Sequence, residues 1–189
     1  MTNSARGLAS LAAAGGRPDS PVIQIAFTVP DIHTAMSTWV DDLGVGPWFL
    51  VESLTGEDPL YRGKPTEAAY ALASAYTGDM QIELCQMNDD HPSAFREWVD
   101  ERGYGLHHIA IGSDDPQADI EHYARKGYET VFSCKPPFGG PPIVFMSPGT
   151  AGMAMIEITP MGEPVKEFHA MSRAVSADWD GTDPVRLLG

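Results

Sequence analysis

Two glutamates interrupt runs that are otherwise apolar and β-prone: Glu83 in MQIELCQM (80–87) and Glu157 in MAMIEIT (153–159). A histidine pair opens a third such run, LHHIAIG (106–112), and a glutamine sits inside a fourth, VIQIAFTV (22–29). Side chains alternate along a strand, so parity sorts these residues onto faces. Ile23, Ile25 and Phe27 point one way, and Gln24 and Ala26 the other. Ile82 and Leu84 oppose Gln81, Glu83 and Cys85; Ile109 and Ile111 oppose His108 and Ala110; Ile156 and Ile158 oppose Met155, Glu157 and Thr159. The isoleucine faces suit packing under helices. The opposite face then carries Gln24, Glu83, His108 and Glu157. Two carboxylates on an inner face are costly to bury unless something pairs with them. One divalent metal would neutralise both. Three oxygens and one nitrogen suit Zn, Ni or Co, with Mn or Fe as further choices. The competing reading is a polar core satisfied by its own hydrogen bonds. Parity turns His107 to the other face, and Cys85 reads as a small buried thiol.

These four residues need strands to carry them and helices to cover the isoleucines. After the strand at 22–29, Asp31 is an N-cap for a helix ended by Gly44, with Ile32, Met36, Trp39, Val40 and Leu43 as its apolar stripe. A strand at 48–51, a Gly/Asp/Pro loop, and strands at 68–75 and 80–87 follow, the last two joined by a turn at Thr77-Gly78-Asp79. The pattern is β-α-β-β-β. A helix capped by Ser93, with Phe95, Trp98 and Val99 as its apolar face, bridges to LHHIAIG, and a second β-α-β-β-β follows: a helix over 116–126, then strands at 129–133, 142–147 and 153–159. The two units read as one motif written twice, with QIEL (81–84) matching MIEI (155–158). The expected organisation is a flexible arm at 1–20, modules at 21–88 and 104–160 joined by a helical linker at 89–103, and a C-terminal helix and tail at 161–189. The expected fold class is α+β, with two βαβββ modules forming an eight-stranded, cup-shaped mixed sheet. The 19 glycines and 16 prolines fit such a chain of many reversals.

Composition narrows the partners. The 189 residues carry 26 acids against 12 bases, a net charge of −14. That disfavours nucleic acid and anionic membranes, both of which need basic surfaces. No apolar run reaches the ~20 residues of a membrane-spanning helix. Two cysteines give neither a disulfide framework nor a CxxC motif. A cytoplasmic protein is the default expectation.

The paired units, with IQIAFTVPD, LGVGPW, GLHHIAIGSDD and MIEITP in that order, resemble the vicinal oxygen chelate superfamily, the glyoxalase, bleomycin-resistance and dioxygenase-like proteins. The likeness covers about residues 21–160. It implies that metal ligands lie on the first and last strands of each unit, which are the positions of Gln24, Glu83, His108 and Glu157. Such a set resembles that of glyoxalase I. Gln24 stands where the ring-cleaving dioxygenases have histidine, which argues against O₂ chemistry. Relatives that epimerise methylmalonyl-CoA use a further glutamate on an inner strand of the first unit. The corresponding strand here, 68–75, holds no acid, and Glu67 at its edge is the nearest.

The activity implied is that of a metal-dependent lyase, isomerase or epimerase. It abstracts a proton next to a carbonyl that the metal polarises, with Glu157 as base and Glu83 chiefly a ligand. A non-catalytic binding protein of the bleomycin-resistance branch is the alternative, and a dioxygenase a more distant one. The expected partner is a small carbonyl compound, and the family implies a homodimer. Trp48, Tyr70, Phe138, Gly139 and Phe145 are expected to shape the substrate pocket. Arg62, Lys64 and Lys135 are the main loop cations. His33, His91, His122 and His169 fall on helices or linkers and read as surface residues.

Overall fold

The computed structural model describes residues 20–136, 139–149 and 153–188. Its strands are β1 (Val22–Thr28), β2 (Trp48–Leu54), β3 (Glu57–Tyr61), β4 (Lys64–Pro65), β5 (Tyr70–Thr77), β6 (Met80–Met87), β7 (Gly105–Ser113), β8 (Glu129–Lys135), β9 (Ile143–Ser147), β10 (Met155–Pro160) and β11 (Val185–Leu187). Its helices are α1 (Ile32–Leu43), α2 (Ala94–Arg102), α3 (Pro116–Arg125) and α4 (Glu163–Ala177). All described strands join one mixed sheet, in the order β11-β2-β5-β6-β1-β7-β10-β9-β8-β3-β4.

The repeat is written in that order. Eight strands split into β2-β5-β6-β1 and its counterpart β8-β9-β10-β7, meeting where β1 and β7 pair antiparallel. In each half the first strand runs parallel to the last, β1 with β6 and β7 with β10. Such parallel pairs need a crossover, which α1 and α3 provide. Both helices start on an aspartate cap, Asp31 accepting from the Thr34 N–H and Asp115 from the Ala118 N–H. Gly44, at φ +64°, ends α1 in the left-handed region that glycine occupies without strain.

Alternation divides the interior into layers. On the outer face, α1 covers Ile25, Phe27, Ile82 and Leu84, and α3 covers Ile109, Ile111, Ile156 and Ile158. Leu43, read as part of the α1 stripe, is exposed instead. On the inner face, α2 brings Phe95 and Trp98 against Tyr70, Phe132, Phe145 and Met155. Three strands go beyond the expected eight. The segment read as a loop contains the β3–β4 hairpin, and β3 crosses over to pair with β8. The tail adds β11 parallel to β2. Among the described residues no helix is long and apolar enough to cross a membrane.

Candidate metal centre

Strand register builds the site. Across the sheet, Gln81, Gln24, Ala110 and Glu157 stand side by side on β6, β1, β7 and β10. The next row holds Glu83, Ala26, His108 and Met155. Strands lie ~4.8 Å apart, so Glu83 and His108 are separated by about 10 Å of backbone. Only a short side chain between them, Ala26, lets them meet. Ala26 and Ala110 are both fully buried and form the floor.

Over that floor, ligand atoms of Glu83, His108 and Glu157 all lie within 4.8 Å of one another. His108 Nε2 is 2.8 Å from Glu157 Oε2 and 3.4 Å from Glu83 Oε2. The other Glu157 oxygen accepts from the Thr159 hydroxyl at 2.7 Å. The Cys85 thiol lies 3.3 Å from Glu83 Oε2. Gln24 donates its Nε2 to Gln81 Oε1 at 2.9 Å, which leaves Oε1 as the amide atom a cation would take.

Four strand residues therefore reach one face, as parity requires, but a fifth joins them. The β1–β7 register shifts between the pairs Ala26–His108 and Phe27–Leu106, so His107 is the extra residue of a bulge. A bulge breaks alternation locally. Both His107 and His108 are fully buried on the inner side, contrary to the parity expectation for His107. His107 stacks on Phe95 at 4.4 Å, and Phe145 meets His108 edge-on at 4.8 Å.

Charge is concentrated where water is excluded. Burial pulls the His108 pKa down, but the Glu157 and Glu83 carboxylates outweigh it and lift it to about 9. Burial would raise the Glu157 pKa, yet His108 and the Thr159 hydroxyl hold it below the ordinary carboxylate range. Burial and the neighbouring His108 drive His107 well below the usual imidazole value. His108 Nε2 lies at ion-pair distance from both carboxylates without a well-formed hydrogen bond to either. A buried nitrogen without a hydrogen bond, facing two carboxylates, could serve with them as donors to a divalent ion.

The other expected site residues divide. Tyr70 lies on the inner face, 4.5 Å from the Phe95 ring, and Phe145 stands opposite Glu157 in register. Trp48, expected to shape the pocket, is instead fully buried under α1 beside Ile32 and Met36, on the outer layer. Its neighbour Phe49, paired with Ser74, packs on Phe168 instead. Gly139 is exposed, and Phe138 lies outside the described residues. Glu67 is exposed and precedes β5. Arg62 and Lys135 are engaged by acids, Arg62 with Glu97 at 2.6 Å and Lys135 with Asp58 at 2.6 Å.

Sequence reasoning gave no site role to Gln81, Tyr76 or His169. Tyr76 neighbours Gln81 in register, so it extends the row that holds Gln24 and Glu157. Its hydroxyl is 2.5 Å from His169 Nδ1 of α4. The two line a cleft of about 260 Å³ with Met161, Lys166 and Arg173. His169, read as a surface residue, is half-buried, and His122 is buried. The signal for Tyr76 was its parity with Ser74; nothing local in α4 marks His169.

The profile of the Glyoxalase/Bleomycin resistance protein/Dioxygenase superfamily matches residues 23–145. A hypothetical protein of Bacillus halodurans is similar in structure, with a TM-score of 0.56 at 20% identity over 77% of this chain and 96% of that one. The methylmalonyl-CoA epimerase of Mycobacterium tuberculosis gives 0.54 at 21% identity, over 82% of this chain and 99% of its own. A variant of the Streptomyces coelicolor methylmalonyl-CoA epimerase, in complex with 2-nitronate-propionyl-CoA, gives 0.51 at 17%, over 76% and 96%. At these identities the likeness is one of fold. No curated protein matches the chain.

Proposed function

The chain belongs to the glyoxalase/bleomycin resistance protein/dioxygenase superfamily, and we propose that it is a metal-dependent isomerase, lyase or epimerase that removes a proton from the carbon beside a carbonyl. The observation that carries this reading is the cluster itself. Ligand atoms of two carboxylates and one imidazole lie within 4.8 Å of one another, and the buried imidazole nitrogen among them, His108 Nε2, lacks a hydrogen bond. Glu83, His108 and Glu157 would hold the ion, with Gln24 Oε1 as the fourth donor. A bound divalent ion would supply Lewis-acid polarisation of the carbonyl oxygen.

The chain's own residues do the rest. Glu157 is the base: its Oε1 is held by Thr159 and its Oε2 lies towards His108, so the carboxylate is oriented. It is kept ionised despite its burial, and that ionised form can accept a proton. Glu83 offers a second carboxylate on the opposite side of Ala26. The aromatic wall of Tyr70, Phe95 and Phe145 excludes water, which strengthens every charge interaction inside.

The test is hydrogen–deuterium exchange at carbon across a panel of small carbonyl compounds in D₂O, using protein loaded with Zn²⁺, Ni²⁺ or Co²⁺. Wild-type protein is expected to label at least one compound. Glu157→Gln keeps an oxygen ligand and removes the base, so it should retain metal and lose about 10²–10⁴-fold in rate. A variant that keeps both its metal and its rate sinks the assignment of Glu157. Metal-free wild-type protein that refuses all three ions sinks the metal centre.

A further inference from the structure

The bulge that turns His107 inward puts two imidazoles where a regular strand would put one. Neither ring reaches water, since both residues are fully buried. Buried polar groups are costly unless hydrogen-bonded, so the surroundings of His107 constrain its role. Phe95 lies flat on one side of it, and the Trp98 and Phe145 rings lie around it. Among the described residues its polar contacts are His108 Nδ1, 2.8 Å from its own Nδ1, and the Ala94 carbonyl oxygen, 3.5 Å from its Nε2.

Proton accounting fixes both rings. A carbonyl oxygen can only accept, so the His107 nitrogen facing it, Nε2, carries the hydrogen. A neutral imidazole has one N–H, so His107 Nδ1 is a bare lone pair. The nitrogen 2.8 Å away, His108 Nδ1, must then be the donor. With its hydrogen on Nδ1, neutral His108 keeps a lone pair on Nε2, the atom that faces Glu83 and Glu157. The opposite tautomers would set two lone pairs against each other at the Ala94 oxygen.

From this we infer that His107 is a positioning residue of the metal centre, holding His108 through an Nδ1–H···Nδ1 hydrogen bond so that Nε2 faces the ion. The inference rests on the metal-centre reading above and deepens it. Ligating histidines usually donate their second N–H to a carboxylate, a carbonyl or water. Here a neutral imidazole accepts that hydrogen. It adds no negative charge to a site that already holds two carboxylates. The Phe95 stack keeps the accepting ring in place, so α2 reaches the metal centre through two aromatic contacts.

The experiment compares the wild type with His107→Phe and His107→Asn, using the full chain. Phenylalanine keeps a ring to stack on Phe95 but accepts nothing; asparagine places an oxygen near the Nδ1 position. Co²⁺ titration should show His107→Phe binding about 10–100-fold more weakly than the wild type. His107→Asn should recover most of that loss. Circular dichroism checks that both variants are folded. In ¹⁵N-histidine-labelled wild-type protein, metal-free and Zn²⁺-loaded, a coupling across the hydrogen bond should join the two Nδ1 atoms, with the hydrogen assigned to His108.

Should His107→Phe fail to fold, the coupling in the wild-type protein still decides the matter. Wild-type Co²⁺ affinity in His107→Phe, a missing coupling, or a hydrogen assigned to His107 Nδ1 overturns the inference while leaving the metal centre standing. Wild-type protein that takes up neither ion overturns the metal centre and the inference together.

Discussion

His108 is pulled in two directions. Burial disfavours its charged form, while Glu157 at 2.8 Å and Glu83 at 3.4 Å favour it, and the carboxylates win, raising its pKa to about 9. A folded-state pKa above the unfolded value of ~6.5 stabilises the protein fully below that pH. The contribution is lost as pH rises through about 9. Metal-free protein should therefore show a falling urea midpoint between about pH 6.5 and 9. A proton and a metal also compete for Nε2, so apparent Co²⁺ affinity should rise over the same window, by up to about tenfold per pH unit. A flat affinity profile there would remove Nε2 from the ligand set. The placing of Gln24, Glu83, His108 and Glu157 on one face was legible in the sequence, because alternation is a local property of a strand. The inward turn of His107 was not. It follows from a register shift between β1 and β7, which belongs to a pair of strands and to neither alone.

At the scale of elements, α2 closes one end of the cup. Ser93 caps it by accepting the Arg96 N–H at 3.0 Å, and the residue is buried. Trp98 donates its Nε1 to the Leu106 carbonyl, next to the bulge. Outside, Glu97 accepts from Arg62 and from the Tyr61 hydroxyl, so the β3–β4 hairpin straps the helix down. Ser93→Ala removes the cap and should cost about 0.5–2 kcal/mol. The loss should appear in hydrogen exchange as faster opening of α2 amides, with little change in α1 and α3. Uniform acceleration across all three helices would deny α2 its separate role. The cap and the apolar residues Phe95 and Trp98 marked α2 in the sequence; its place inside the cup did not show, because a helix stripe says that something covers it and not what. The hairpin was read as a loop for a related reason. EDPLY carries a proline and no alternation, so only its pairing, with β4 and with the distant β8, makes it a strand.

For the whole molecule the issue is where its negative charge sits. A net charge of −14 spread over a surface repels itself, and salt screens that repulsion within ~8–10 Å. Glu83 and Glu157 are different acids. Their side chains are only 16% and 9% exposed and converge on His108, so salt screens them less than it screens the surface acids. An ion bound only by the folded protein stabilises it by about 2.7 kcal/mol at a hundred times its Kd. For a chain of this length that corresponds to a rise in Tm of about 5–11 °C. Zn²⁺ or Co²⁺ should give such a rise and a chelator should reverse it. Glu83→Gln should shrink the rise, since one of the charges the ion neutralises is gone. Ions gathered by the acidic exterior would behave otherwise: their effect would fade between 0.1 and 0.5 M NaCl and survive Glu83→Gln. A metal-induced rise that persists in high salt and depends on Glu83 places the ion inside the cup. One that salt abolishes places it on the surface and overturns the proposed metal centre.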